Sequence, residues 1–505
     1  MKRLRRSAAL AALCGSTLAF AGPAATTPAA APAAKAAPST DYPISCAAAA
    51  RPLFLKSFEA GFNARVDEAR ELLKQAVAAD PKCAVAKAQL AMMTPGAEGN
   101  TMFTEAMGLS ASEFEKLHLQ GMEANRAGDM EKALGLYKKM RDLAPQVAAS
   151  YLMICDATTA LQKYDETMAA AKKATELAPK SGAAWNMLGY ANVNLKKTDD
   201  AVAAFKKYVE VAPTEANAHD SLADALLRAG QFDEAGASYQ KAIDASGGKF
   251  YLSWDGVAAV KAIKGDYDGA RAALAKYKES AIEPMEKLKA ARMSAWTWVA
   301  QGKLPEAMKA IDAVEKEAVA AKVDAGVHFA QLTRGMFQIQ SAKYADALKT
   351  FAAQEKLNAD ALNPGQKRYA TALRLLGMVE AQARGNKVAD AEKTLAKLDE
   401  LFKATPGDPM GTDYVAFGKG VIAMGKKDFK AAVDAFKSAS EEFDYAHWMQ
   451  AEAQDLAKDA AGAAATRDAL LKVGHRDELY WLVHARAEAK NKIPGKKVAA
   501  DGAKK

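Results

Sequence analysis

The chain has 505 residues, half of them hydrophobic, which is too long for one ordinary core and indicates several domains or an array of repeats. The formal net charge of +8 belongs to the two ends. The four basic residues among the first six, and six lysines against Asp501 in the last sixteen, contribute nine net positive charges, so residues 22–489 carry −1. A body this close to neutral argues against a surface that binds nucleic acid.

The first 21 residues have the pattern of an export signal. A basic start, MKRLRR, precedes the short apolar run SAALAALCGSTLAF and the cleavage motif Ala19-Phe20-Ala21. We expect cleavage after Ala21 and a periplasmic or secreted mature chain that has no transmembrane segment. Lipidation at Cys14 is the less favoured alternative, because Leu13 stands where a lipoprotein needs a small residue.

Two low-complexity segments border the body of the chain. Residues 22–45 are rich in Ala, Pro and Thr and lack a hydrophobic period, which predicts a disordered linker. Residues 490–505 are basic and equally featureless, so we expect a solvated, disordered tail. Contact of the tails with membrane or cell wall is the alternative.

The region between them is predicted to be helical and repetitive. Apolar residues recur at three- and four-residue steps, and short turns such as RAGDM and IKGDY separate the helices. Residues 114–249 repeat with a period of 34. Four sets keep this phase: Pro145, Pro179 and Pro213; Gly121, Cys155, Gly189 and Ala223; Ala133, Thr167, Ala201 and Ala235; and Tyr137, Ala171, Phe205 and Tyr239.

The stretch that begins at Gly182 resembles the tetratricopeptide repeat. The matching residues are Trp185, Leu188, Gly189, Ala201, Phe205 and Pro213. The resemblance implies an all-α solenoid of helical hairpins, a superhelix of roughly eleven repeats. The small residues would allow close helix approach, the large apolar ones would fill the seam between repeats, and the proline would end the second helix.

The pattern weakens on either side of this array. Residues 46–113 are expected to form one or more N-terminal repeats, with Met92–Glu113 as a loop that contains a short extra helix. Residues 250–472 are expected to form degenerate repeats, and residues 473–489 a helix that caps the last one. The later repeats are marked by Ala270, Ala307, Ala347, Ala391, Ala432 and Ala464.

Motifs for catalysis or metal binding are weak. Gly420–Lys426 has the spacing of a phosphate-binding loop, but Lys427 follows where Ser or Thr is required and no strand precedes it. The six histidines never lie three or four residues apart, and no C-x-x-C motif occurs. We therefore expect no catalytic residues, no metal site and no cofactor.

The resemblance implies a concave groove lined by the first helix of each repeat. Its predicted residues are Met122, Asn125, Met153, Asp156, Asn186, Met187, Tyr190, Asn194, Asp220, Asp224, Arg228, Asp255 and Trp296. Recurrent methionines suit adaptable apolar contacts, and four carboxylates against one arginine favour a basic partner with apolar anchors.

The function predicted from these features is that of a non-enzymatic scaffold of the bacterial envelope, which binds a protein or peptide in the groove. A structural or assembly component tethered at membrane or wall is the alternative, and an unrecognised enzyme a minor one. The sequence leaves the partner and the oligomeric state open.

Cys46, Cys83 and Cys155 would remain after export. The residues before the first helix of a hairpin lie beside those after the second, so Cys46 and Cys83 form a candidate disulfide. Cys155 occupies the position of Gly189 and is expected to be a buried free thiol. Three free thiols are the alternative.

Overall fold

The computed structural model describes residues 42–63, 65–94, 96–109, 111–358, 362, 364–403 and 408–491. The predicted signal peptide, most of the predicted linker and nearly all of the basic tail lie outside these residues. The described part is all-α, with 25 helices and no strand. It divides into two compact units: an N-terminal unit of residues 42–226 with 244–246, and a C-terminal unit of residues 227–243 and 247–491.

The N-terminal unit contains five helical hairpins. Its helices are α1 (Arg51–Phe62), α2 (Val66–Ala79), α3 (Ala84–Met92), α4 (Gly96–Met107), α5 (Glu113–Arg126), α6 (Met130–Leu143), α7 (Ala148–Ala160), α8 (Tyr164–Leu177), α9 (Gly182–Asn194) and α10 (Thr198–Val211). Helices α11 (Ala216–Arg228) and α12 (Phe232–Ala245) each have residues in both units.

The C-terminal unit continues with six hairpins and one further helix. These helices are α13 (Leu252–Ile263), α14 (Tyr267–Ser280), α15 (Pro284–Ala300), α16 (Leu304–Ala320), α17 (Asp324–Gln340), α18 (Tyr344–Glu355), α19 (Pro364–Arg384), α20 (Val388–Lys403), α21 (Pro409–Gly425), α22 (Phe429–Lys437), α23 (Asp444–Leu456), α24 (Ala460–Leu471) and α25 (Glu478–Asn491). The described chain thus has twelve helix pairs where the sequence predicted about eleven.

The hairpins follow from local sequence. At the turn between the two helices of most repeats, one residue adopts a left-handed conformation, and from residue 128 to residue 230 this position recurs every 34 residues. Glycine occupies it at Gly128 (φ 81°), whereas Gln162 and Lys196 take the same conformation at φ 61° and 58°. An aspartate often follows the turn: the Asp129 carboxylate accepts from the Lys132 backbone N–H at 3.0 Å and caps the second helix.

Close helix approach explains the small residues. A Cβ on Gly189 would lie 2.3 Å from the ring of Phe205, and a Cβ on Gly121 equally close to Tyr137. The buried small residues predicted in the later repeats, Ala270 to Ala432, are fully buried. In the last hairpin, however, the buried residue is Ala463, and Ala464 is only partly buried.

Trp185 does not fill the seam as predicted. It is only partly buried, and its indole N–H donates to the carbonyl oxygen of Pro179 at 2.8 Å. The Tyr151 hydroxyl donates to the Pro145 carbonyl at 3.1 Å in the preceding repeat. In both repeats this aromatic side chain thus hydrogen-bonds the loop that precedes its own helix.

Two predicted boundaries were wrong. Met92–Glu113 is not mainly a loop, because α4 is a regular twelve-residue helix that packs against α3 as the second half of a hairpin. The predicted disordered linker ends too late, since Tyr42 and Ile44 are buried in the core of the N-terminal unit. Its amphipathic end was hidden by the Ala- and Pro-rich residues before it.

Candidate protein-binding surface

None of the thirteen predicted groove residues is exposed. Asn125, Asp156, Asn194 and Arg228 are partly buried, and the other nine are buried. They also do not share one unit: the positions up to Asp224 belong to the N-terminal unit, and the last three belong to the C-terminal unit. The sequence predicted one accessible groove, whereas the structure divides these residues and covers most of them.

In the N-terminal unit, the central part of the predicted surface is a buried polar network. The hydroxyls of Tyr190 and Ser221 lie 3.2 Å apart, and the Ser221 hydroxyl donates to the Asn186 side-chain oxygen at 3.4 Å. The unit also curves back on itself. Arg65, before α2, forms an ion pair of 3.1 Å with Glu215, just before α11, so the first hairpin meets the end of the fifth.

The predicted acidic section is reduced to one accessible carboxylate. Asp220 and Asp224 are buried, and Asp255 is buried with an ion pair of 3.3 Å to Lys289. Asp156 is different: it is partly exposed, and no hydrogen bond or ion pair joins its carboxylate to another described residue.

Desolvation raises the pKa of Asp156 to about 8, because no cation compensates its charge. The pKa of the Tyr137 hydroxyl is also raised, first by burial and then by the nearby Asp156 carboxylate, while a hydrogen bond with Asn125 opposes the shift. Asn125, Tyr137 and Asp156 thus form a cluster that lacks a positive charge. Such a cluster suits the ammonium or guanidinium group of a ligand.

The inner surface of the C-terminal unit is filled by its own last helix. Helix α25 packs against α13, α15, α23 and α24 and so reaches well beyond the last repeat, which it was predicted to cap. Five consecutive residues, Leu479 to Val483, are buried. Groove residue Trp296 is likewise buried, with its ring 4.8 Å from that of Phe337 in a perpendicular arrangement.

Polar contacts fix both ends of α25. Near its start, Glu478 pairs with Arg292 of α15; near its end, Lys490 pairs with Asp455 of α23 at 3.1 Å. Between these, Arg486 donates to the Gln340 side-chain oxygen at 2.8 Å. Helix α25 therefore occupies the surface of the helices that it contacts, and the described part of this unit has no open groove along α25.

The N-terminal unit also contains a bound segment of its own chain. Residues 42–46, which we call the strap, contact α5 outside any helix and turn tightly at Pro43, where the Ile44 backbone N–H donates to the Tyr42 carbonyl oxygen at 3.0 Å. The Tyr42 hydroxyl bonds His118 Nδ1, and the Ser45 backbone N–H donates to Glu115 Oε1 at 2.9 Å. The strap ends at a disulfide between Cys46 and Cys83, while Cys155 is a buried free thiol.

Sequence reasoning missed Tyr42, Ser45 and Glu115 as binding residues. The two apolar residues Tyr42 and Ile44 in YPIS were the available signal for a bound segment. The phosphate-loop motif lies in a helix: Gly420 is within α21, where a Cβ would be 2.4 Å from the Phe436 ring.

No helix in the described ranges is both long and apolar enough to cross a membrane. Among these same residues, no group of three or more His, Cys, Asp or Glu side chains could hold a metal ion.

The tetratricopeptide repeat family model matches residues 159–218 and 193–250. The chain contains tetratricopeptide repeats. This agrees with the hairpin geometry and the 34-residue phase of the N-terminal unit. A comparison with curated proteins found no match.

Several solved structures are similar in fold. MamA from Desulfovibrio magneticus is 20% identical, with a TM-score of 0.30, and the match covers 33% of this chain and 94% of that one. PilW, a type IV pilus biogenesis factor, is 19% identical with a TM-score of 0.35, and the match covers 39% of this chain and 89% of that one. A tetratricopeptide repeat protein from Parabacteroides merdae is 15% identical with a TM-score of 0.40, and the match covers 52% of this chain and 98% of that one.

Proposed function

We propose that the protein is a non-enzymatic scaffold of the bacterial envelope, which holds a segment of a partner protein against the inner surface of its N-terminal unit. Tetratricopeptide repeats commonly act through such surfaces rather than through chemistry of their own. The export signal predicted in residues 1–21 supports the envelope as its location.

One observation carries the proposal: Asp156 is partly exposed and unpaired among the described residues, with its pKa raised to about 8. A lysine or arginine of the partner would supply the missing charge. Met153, three residues before Asp156 on α7, is buried beside other apolar residues and gives an adaptable apolar surround. The partner segment accordingly carries a cation beside apolar anchors.

The raised pKa makes a distinctive expectation about pH. Near pH 7 the free Asp156 carboxyl is largely protonated, and a bound cation favours the ionised form. Binding therefore releases a proton, so affinity should rise between about pH 6 and pH 8 and then level off. It should also fall as salt increases, because the contact is ionic.

The test is affinity capture from envelope extract with the mature chain as bait. Asp156→Asn removes the charge with little change in shape, and Glu123→Gln, at an exposed position of α5, is the matched control. We expect a defined partner that is captured less by D156N and equally by E123Q. A captured set that D156N leaves unchanged would refute a role for the inner surface. Recovery of only wall or membrane fragments would favour the structural alternative.

A further inference from the structure

The strap is bound in the manner of a short peptide ligand. Along it, Tyr42 and Ile44 are buried at 6% and 7% exposure, whereas Pro43 and Ser45 are exposed. The segment thus presents Tyr42 and Ile44 to the surface, on either side of the tight turn at Pro43. Its placement therefore shows what kind of peptide the surface accepts.

An aromatic wall receives the first anchor. The ring of Tyr42 lies 5.3 Å from that of Phe114 in a perpendicular arrangement and 5.6 Å from that of Phe54. Phe58 is 6.2 Å away. Tilted and perpendicular contacts at these distances are favourable for aromatic side chains and add to their hydrophobic burial. The wall thus selects an aromatic residue.

Two buried polar groups lie beside this wall. Glu115 is fully buried, and its carboxylate accepts from the Ser45 N–H at 2.9 Å, the Ser45 hydroxyl at 2.6 Å and the Ser112 N–H at 2.8 Å. Two of these three donors come from the strap. His118 is the second group: burial lowers its pKa to about 3, so the ring is neutral, and its Nδ1 shares a hydrogen bond with the Tyr42 hydroxyl.

Without the strap, the surface would therefore lack partners for Glu115 and His118. A buried polar group that loses its hydrogen-bond partner costs free energy, so a replacement ligand must supply partners at the same places. An aromatic hydroxyl, a backbone N–H and a serine or threonine hydroxyl meet that requirement. These chemical demands define a narrow class of peptide.

We propose that the strap is a built-in peptide that occupies a recognition surface for an external segment of the same chemistry: tyrosine, an aliphatic residue two positions later, and serine or threonine next. The Cys46–Cys83 disulfide holds the strap against this competitor. This inference goes beyond the proposed function, because it concerns the residues of α1 and α5 that contact the strap and not Asp156.

The disulfide matters because tethering sets an effective concentration. A segment joined to its site by a short chain competes at an effective concentration on the order of millimolar. An external peptide of equal intrinsic affinity is therefore excluded at micromolar concentration. A dithiol such as dithiothreitol reduces the bond: the protein gains two thiols, and the reagent becomes its cyclic disulfide. Chain connection through α1 then remains, but the second anchor is lost.

The experiment uses a fluorescein-labelled synthetic peptide with the sequence of residues 40–47 and serine in place of Cys46, and measures anisotropy against the mature protein. The double variant Tyr42→Ala with Ile44→Ala removes the two strap side chains that occupy the surface, and it keeps the disulfide. We expect this variant to bind the peptide at least tenfold more tightly than the oxidised wild type. Dithiothreitol should give the wild type an intermediate affinity.

A matched pair of carboxylate variants tests the site itself. In the strap-weakened background, Glu115→Gln should abolish binding, although glutamine still completes the helix cap with Ser112. The control is Glu113→Gln, at an exposed position two residues earlier in α5. This variant should bind the peptide normally. A control peptide with alanine at the tyrosine and isoleucine positions should not bind.

If the double variant fails to fold, as judged by circular dichroism, the reduced wild type still decides the question. Its Ser45 amide should exchange hydrogen faster than in the oxidised protein, and the peptide should bind. Absence of peptide binding to either folded form, or equal binding to all forms, would overturn the proposal and leave the strap as structural packing. Neither result would touch the proposed function, which depends on capture through Asp156.

Discussion

The close approach of helices at Gly189 predicts a clear difference between two identical substitutions. An alanine Cβ at Gly189 would lie 2.3 to 2.6 Å from three atoms of the Phe205 ring. Phe205 is fully buried, so the ring cannot turn away without disturbing its neighbours. Gly135, in the middle of α6, is exposed, and a Cβ there would meet nothing within 4 Å.

The magnitude follows from two opposing effects. Alanine in place of glycine within a helix gains about 0.8–1 kcal/mol from backbone propensity. Overpacking in a closed core costs about 1–3 kcal/mol. Gly135→Ala should therefore stabilise the unit by about 1 kcal/mol, whereas Gly189→Ala should be neutral or destabilising. The difference between the two variants isolates the clash, at about 1–3 kcal/mol.

The assay is urea unfolding followed by fluorescence. Trp185 is the one tryptophan in residues 1–226 and so reports on the N-terminal unit. Adding Phe205→Leu to Gly189→Ala should recover part of the loss, because the smaller side chain leaves room for the methyl group. Equal midpoints for the two glycine variants would refute the packing argument.

Three further predictions can be checked by the same unfolding measurements. Removing the Cys46–Cys83 bond, whose cysteines are 37 residues apart, should lower the free energy of unfolding of the N-terminal unit by about 4 kcal/mol. The measurement compares unfolding with and without reductant, after mass spectrometry of non-reduced digests has established the bond. His118 has a pKa of about 6.5 in the unfolded chain and about 3 in the folded protein, so between these pH values only the unfolded chain binds the proton. The free energy of unfolding should therefore fall as the pH is lowered across this range, and His118→Gln should flatten that dependence. Trp481→Ala should destabilise the C-terminal unit by about 3–5 kcal/mol because the ring is fully buried, whereas Trp481→Phe should cost much less because the indole N–H has no hydrogen-bond partner; equal losses would contradict this.

The sequence by itself determined the repeat and its phase. Gly189 and Phe205 pack against each other within one hairpin, and the turn residues Gly128 and Lys196 act on adjacent helices. These are interactions over a few to about twenty residues, so the spacing of residue types records them directly. Cys155 at the small-residue position could be predicted as buried for the same reason.

Only the tertiary structure decided which surfaces are open. Curvature accumulates from a small rotation at each repeat, and the residues that set it are spread along the array. It brings Glu478 to Arg292, 186 residues away, and Ser45 to Glu115, 70 residues away. No local pattern encodes such distances. The predicted acidic groove was therefore mostly covered, whereas Asp156 is partly exposed and pairs with no cation of the described residues.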